Sequence, residues 1–358
     1  MSSESAVQRV ELTMFDGRQI FYFDRAPVER SAIDLRPFEP RPLPGEMRQD
    51  VLNGEWIAMA SHRQTRAFLP PKEFCPLCPT KSDFETEIAD SKFEVVVFEN
   101  RSPSFAAPSD ELPAETIQAS GRCEVVVFSD QHEGSFGSLD VAQMRTVLAA
   151  WIDRTREISL LPYVEQIFVF ENRGEEVGVT LNHPHGQIYS YPFITPRTSK
   201  MLQVAQEHFD RTGTPLLTSI IERELQDQIR IISQNEHWIA YVPYAARYPF
   251  EIHVAPKQFV ADLAELSDLV ADAFPEIAKE VLLRLDGVFG IPMAYIAGWH
   301  QAPVRTGRNV LGLHWQITSF RRAPGKLKYL AGSEAAMGAF IMDLKPEQSA
   351  QQLRDVQL

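Results

Sequence analysis

The chain opens on two apolar-rich runs, ELTMF and RQIFYF, joined by Asp16-Gly17. That dipeptide tolerates the positive φ values of a tight turn, so the pattern predicts a β-hairpin. A proline-rich stretch over 36–46 (RPFEPRPLPGE) cannot carry a ladder of backbone hydrogen bonds and reads as a linker or wrapping loop. Asn53-Gly54 is a second hairpin signal, feeding the strand EWIAMA, and 67–92 is loop-like. FEVVVF (93–98), CEVVVF (123–128) and QIFVF (166–170) follow. These are continuous β-branched and aromatic runs bounded by turn residues, the pattern of strands buried on both faces. Between the last two a helix is predicted, capped by Ser138, with Val141, Met144, Leu148, Trp151 and Ile158 at helical spacing.

Residues 200–232 read as helical, with a break at Gly213 and a restart at Pro215. WIAYV (238–242) and EIHVA (251–255) then read as strands, before a helix that opens at Ser267 and carries Val270, Ala273, Ile277, Val281 and Leu285 on one face. AYIAGW (294–299) and LHWQIT (313–318) close the series as strands. The order strand, strand, helix, strand, strand therefore occurs twice, near 93–192 and near 238–320. This predicts two copies of one α+β module joined by helices.

Composition mainly excludes. The 358 residues are 44% apolar and 23% charged, ordinary for a folded chain large enough to bury a core without disulfides. Lys and Arg number 35 against 48 Asp and Glu, a net charge of −13, which argues against a general nucleic-acid or anionic-membrane binder. No apolar run approaches the length of a bilayer span, and MSSESAVQRVELTMF lacks the basic and apolar regions of a secretory signal. With three cysteines, too few for a disulfide framework, a reduced cytoplasmic setting is expected.

Candidate chemistry concentrates in FENRGEEVGVTLNHPHGQIYSYP (170–192). On an extended backbone His183, His185 and Gln187 would share one face. A neutral imidazole can attack phosphorus and split one displacement into two, and the nearby glycines would let backbone N–H groups approach phosphate oxygens. A His-x-His on a strand also fits a structural pair or a fragment of a metal site. Cys75 and Cys78 in CPLC fit a zinc knuckle, a buried pair or a redox couple. Cys123, before a valine run, reads as a small buried hydrophobe.

HPHGQ with the preceding FENRGEEVG resembles the active-site signature of the galactose-1-phosphate uridylyltransferases, the transferase branch of the histidine triad superfamily. The resemblance extends from about 48 to about 345 through HRQTR, CPLC, FEN, FSDQH, HPHGQIY, VPYAARYPFE, AGWHQAP and HWQ. It implies an α+β fold of two fused histidine-triad-like modules. Residues 1–47 would form an N-terminal hairpin and proline-rich loop, 48–198 the catalytic module, and 199–358 a second, diverged module with a hexose-contacting tail. The implied reaction is ping-pong transfer of a uridylyl group from UDP-glucose to galactose 1-phosphate. His185 would be the nucleophile and Gln187 a hydrogen-bond donor to the phosphoryl group. Arg63 and Arg66 match nucleotide-phosphate arginines, while Asn100, Asn172 and Thr180 match nucleotide contacts. Taken alone, the arginines fit a solvated basic turn and the other three fit turn or strand-end hydrogen bonders.

The resemblance also implies a structural Zn2+ held by Cys75, Cys78, His132 and His183, and a homodimer in which KLKYLAGSE places Lys328 and Glu334 at the sugar phosphate. Read alone, those two are surface charges. A second metal site, commonly iron, is not expected. Two of its histidine positions hold Thr318 and Phe320, its glutamate position holds Met201, and His300 remains, so His300 and His314 read as structural. A glutamine that relatives use for the hexose aligns to Phe340. Two alternatives stay open: a related nucleoside-diphosphate-sugar phosphorylase or nucleotidyltransferase for another sugar 1-phosphate, and a non-catalytic zinc-stabilised nucleotide-binding protein.

Overall fold

Both dipeptide turns form in the computed structural model, which describes residues 7–37, 41–65 and 69–358. Gly17 takes φ +82° between strands β1 (Gln8–Thr13) and β2 (Gln19–Asp24), which pair antiparallel with Thr13 opposite Gln19. Gly54, at φ +78°, joins β3 (Glu46–Gln49) to β4 (Trp56–Met59), a ribbon of its own. The valine runs become β5 (Val95–Glu99), buried at every position, and β6 (Arg122–Val127). Helix α1 (Val141–Ser159), β7 (Gln166–Arg173) and β8 (His185–Tyr191) follow.

The chain divides into two units, the first made of residues 1–169, 180–200 and 303–306. Its sheet runs β1-β2-β5-β6-β8, with the opening residues of β7 next to β8. α1 packs on β2 and β5 through Met144, Val147, Leu148 and Trp151, and the Trp151 ring meets Phe128 and Phe136 at 5.9 and 5.3 Å. Two details differ from the sequence reading. Asp140, not Ser138, caps α1, its carboxylate accepting from the Gln143 N–H at 2.6 Å, because Ser138 is engaged one turn earlier with Ser135. Val141 is 39% exposed, since the first helical position lies outside the buried stripe.

Behind β8 sits a buried charge group. Glu124 of β6, opposite Ile188, accepts from Arg154 Nε and Nη2, both at 2.9 Å, and from Arg122 Nε at 2.5 Å. The Arg154 guanidinium also lies 3.9 Å over the Phe21 ring. Burial alone would raise the Glu124 pKa, but Arg154 and then Arg122 outweigh it and hold the carboxyl below its usual range.

The second unit comprises residues 170–179, 201–302 and 307–358. Helix α2 (Pro196–Thr212) ends at Gly213, φ +71°, and α3 (Leu216–Asp227) ends where Gln228 turns left-handed. The helix expected up to 232 therefore stops early. Ile231 and Ile232, β-branched, instead open β9 (Ile231–Gln234) beside β10 (Trp238–Tyr241). β11 (Phe250–Pro256) leads to the Ser267 helix, which is split into α4 (Asp268–Asp272) and α5 (Phe274–Gly287) at Pro275, a residue with no N–H to continue the ladder. β12 (Tyr295–His300), β13 (His314–Ser319), α6 (Gly332–Met337) and α7 (Pro346–Asp355) complete the unit.

Its sheet order is β12-β13-β11-β10-β9, with residues 170–173 paired to β12. The two units thus repeat one arrangement. β5-β6-β8-β7 in the first corresponds strand for strand to β10-β11-β13-β12 in the second. The fold is α+β, with antiparallel sheets and flanking helices.

Glu124→Gln leaves Arg154 buried against a neutral partner, and a loss of about 3 kcal/mol is expected in urea unfolding at pH 7. A carboxyl depressed in the folded state stabilises above its unfolded pKa and loses that contribution as pH falls through the folded one. The gap between wild type and variant should therefore shrink as pH drops below the ordinary value of 4.5.

Candidate active site

Alternation along β8 separates packing from chemistry. Gly186, Ile188 and Ser190 are buried in the sheet, while His185, Gln187 and Tyr189 are half-buried on the other face. The register with β6 sets Val127 opposite His185 and Val125 opposite Gln187. His185 and Gln187 face a cavity of about 440 Å³. Arg63, Asn100 and Thr180 line it with them, as do the apolar side chains of Pro76, Leu77, Phe98, Val125 and Leu181.

Several of the lining residues are fixed by their neighbours. Arg63, in a 3-10 turn (Ser61–Thr65), donates Nη1 to the Ser102 carbonyl at 3.1 Å and to the Tyr189 hydroxyl at 3.2 Å. Asn100 follows β5, and its Oδ1 accepts from the Ser102 N–H at 2.9 Å, an Asx turn that re-aims the chain at the cavity. The Thr180 carbonyl accepts from the Leu69 N–H at 2.8 Å. Arg101, Ser102 and Glu87 also line the cavity and were missed in the sequence reading. Arg101 stands next to Asn100 in FENR, a signal that could have been used; Glu87 gave none.

His183 does not share the His185 face. Pro184 interrupts the extended backbone, β8 begins only at His185, and the His183 ring turns into the interior, 1% exposed. There it meets Cys75, Cys78 and His132, with one ligand atom from each of the four within 4.8 Å of the others. Cys78 Sγ lies 3.3 Å from His132 Nδ1 and 3.4 Å from His183 Nδ1. These spacings suit the edges of a metal tetrahedron with S and N ligands, about 3.5 Å for the bond lengths of such sites. His183 Nε2 donates to the Ser129 carbonyl at 2.8 Å, which assigns the proton to Nε2 and turns the Nδ1 lone pair toward the sulfurs. Burial, with Cys75 adjacent, pushes the Cys78 thiol up to about 12, and burial pushes His183 down to about 4. Only a cation would make two buried thiolates favourable, so the donor set fits a metal ion.

The same residue fixes His185. Its Nδ1 donates to the His183 carbonyl at 2.7 Å, so Nε2 carries the lone pair. Burial lowers the His185 pKa and this hydrogen bond only partly opposes it, so the ring is neutral at pH 7. A neutral imidazole nitrogen, oriented from behind and facing a cavity with arginines on its wall, can act as a nucleophile toward an anionic ester.

Comparison with known proteins gives the chain's family. Residues 45–195 match the N-terminal domain of galactose-1-phosphate uridyl transferase, and residues 201–358 match its C-terminal domain. The galactose-1-phosphate uridylyltransferase of Streptomyces lividans is 41% identical over 98% of this chain and 98% of its own. The chain belongs to the galactose-1-phosphate uridylyltransferase family. The Thermotoga maritima member is 32% identical over 87% of this chain and 99% of its own. A solved structure described as a uridylyltransferase superposes with a TM-score of 0.78 at 34% identity, covering 87% of this chain and 98% of that one.

Other family-matched positions are not among the described residues that line this cavity. Arg66 falls outside the described residues. Asn172 belongs to the second unit, opposite Ile296 on β12, and is not in the cavity lining. Lys328 donates to Glu334 at 2.8 Å and to the Ile341 carbonyl at 2.5 Å, and both charged residues are buried rather than surface groups. His314 and Gln316 on β13 repeat the His-x-Gln of β8. His314 Nδ1 lies 3.3 Å from the Gly312 carbonyl two residues back, and the Gln316 amide donates to Glu251 at 2.6 Å. His300 stacks on His314 at 5.2 Å. Met201 packs beside Ala302 and Val310, Thr318 donates to the Ile296 carbonyl, and Phe320 meets the Tyr248 ring at 4.8 Å.

Elemental analysis of the purified protein should find one metal ion per chain. Cys78→Ser should abolish it and destabilise the first unit by several kcal/mol, on the order of what a structural metal contributes. A chelator should reproduce the loss in the wild type, which a melting curve would read.

Proposed function

We propose that this protein transfers a uridylyl group from UDP-glucose to galactose 1-phosphate through a covalent intermediate on His185. The reading rests on the neutral His185 imidazole, held by the His183 carbonyl, facing the cavity beside Gln187. In the first half, Nε2 attacks the α-phosphorus of UDP-glucose. A P–N bond forms, the bond to the bridging oxygen breaks, and glucose 1-phosphate leaves with the electron pair. In the second half, a phosphate oxygen of galactose 1-phosphate attacks the same phosphorus. The P–N bond breaks, its electron pair returns to Nε2, and UDP-galactose departs.

Gln187 donates an amide N–H to the phosphoryl oxygens, and being neutral it cannot take a proton from water, which favours transfer over hydrolysis. Arg63 meets the phosphates with a planar fork of donors. Arg66 joins it by sequence likeness; Asn100 and Thr180, on the cavity wall, hold the nucleotide, a role that likeness also gives Asn172. The ion we assign to Cys75, Cys78, His132 and His183 is zinc, for which two sulfurs and two nitrogens are a preferred set. When bound it would stabilise the thiolates and stiffen the loop that carries the His183 carbonyl, a structural contribution. For the sugar phosphate, likeness of KLKYLAGSE supports Lys328 and Glu334 acting in a homodimer. The three unpaired cysteines suit a reducing compartment such as the cytoplasm.

UDP-glucose radiolabelled in the uridine should leave an acid-labile, base-stable label on the protein when incubated alone. His185→Ala should abolish the label and lower kcat by roughly 10⁴-fold or more. Label persisting on that variant overturns the assignment. Release of UDP by inorganic phosphate in place of galactose 1-phosphate would instead identify a phosphorylase.

A further inference from the structure

Among the described residues, one acid lines a cavity whose other charged walls are arginine. Glu87 is 11% exposed at its side chain, and its carboxylate is gripped from both sides. Arg18 Nη2 donates to Oε2 at 2.7 Å, and Arg36 Nη1 lies 2.8 Å from Oε1. Its own backbone N–H donates to the Pro76 carbonyl at 3.1 Å, which seats it beside the apolar Pro76-Leu77 wall. Both guanidiniums are themselves anchored, Arg18 by Asp16 at 2.6 Å and Arg36 by Asp34 at 2.8 and 2.9 Å. Arg18, fully buried, donates also to the Glu99 carbonyl next to Asn100.

Charge decides what such a group can meet. Asp16, Asp34 and Glu87 oppose Arg18 and Arg36, three negative charges against two positive, so this wall keeps a net charge of −1 and disfavours phosphate. Phosphates belong near Arg63 and Arg101. A carboxylate offers about four lone-pair positions, and the two arginines use two of them, leaving acceptors for a neutral ligand that carries hydrogen-bond donors. Leu77, Phe98, Val125 and Leu181 suit a flat, weakly polar ring.

The residues that grip Glu87 precede the family's matched region, which begins at residue 45. The N-terminal hairpin and the segment after it therefore bring to the cavity a contribution that the two matched domains do not include.

We infer that Glu87 sets nucleoside specificity by accepting a hydrogen bond from a donor of the bound uridine, and that Arg18 and Arg36 are positioning residues for it. This rests on the uridine-nucleotide reading above. The shared chemistry is a neutral donor, supplied either by the imide N–H of the base or by a ribose hydroxyl, and the test separates them. Calorimetry measures binding of UDP, N3-methyl-UDP, 2′-deoxy-UDP and 3′-deoxy-UDP to wild type, Glu87→Gln and Arg36→Gln.

The wild type should bind one analogue about tenfold more weakly than UDP, which names the donor, and Glu87→Gln should bind that analogue and UDP alike, with UDP itself weakened about tenfold. Arg36→Gln, whose residue is partly exposed, should fold normally and narrow the wild-type preference to about threefold. Wild-type indifference to all three analogues overturns the inference, as does full preference retained in Glu87→Gln. Full preference retained in Arg36→Gln overturns the positioning role. If UDP discrimination tracks Glu87 but no label forms on His185, the transfer reading fails and this one stands. Normal labelling without discrimination is the converse.

Discussion

One histidine joins the two parts of the candidate site. The His183 ring is a member of the Cys2His2 group, and its carbonyl 2.7 Å from His185 Nδ1 selects the tautomer of the neighbouring imidazole. Its Nε2 is in turn held by the Ser129 carbonyl at 2.8 Å. The orientation of His185 traces back to this backbone segment, and the strand that carries His185, Gln187 and Tyr189 starts immediately after it. A displacement of His183 would move a hydrogen bond, a ligand and a strand end together. The energetic weight of the site therefore lies in placement, and placement is what an in-line displacement at phosphorus needs most.

The rest of the first unit stiffens that strand from behind. β6 contributes Val125 and Val127 toward the cavity side, and Glu124, with Arg154 and Arg122, toward the helix side. A buried ion pair of this kind adds little net stability over an apolar replacement, yet losing one member is costly. It therefore selects one arrangement of α1, β2 and β6 more than it strengthens the whole.

Much of this was legible in the chain itself, for reasons that are local. Asp16-Gly17 and Asn53-Gly54 specify turns because the positive φ is needed at those very residues, and the valine runs specify buried strands by their composition. Failures came where the deciding contact was not local or where two signals competed. Ser138 and Asp140 are both good caps, and only the prior engagement of Ser138 with Ser135 separates them. Period-two reasoning put His183 on the His185 face, but Pro184 ends the regular backbone between them. Ile231 and Ile232 continued an apolar pattern that the left-handed Gln228 had already stopped. Glu87 was invisible because its partners lie 69 and 51 residues away in sequence, at Arg18 and Arg36. The cavity residues Arg63, Asn100 and Thr180 were named from family likeness, since as single residues they carry no distinguishing signal.

The His-x-Gln of β13 shows the pattern of β8 with its glutamine satisfied from within the sheet. Gln316 gives its amide to Glu251, which also accepts from the Arg247 N–H and lies 3.2 Å from His253. A carboxylate of the protein thus takes, at Gln316, the part that the proposed reaction gives a phosphoryl oxygen at Gln187. In the second copy the amide is held by an anion tethered to the same sheet, which never diffuses away.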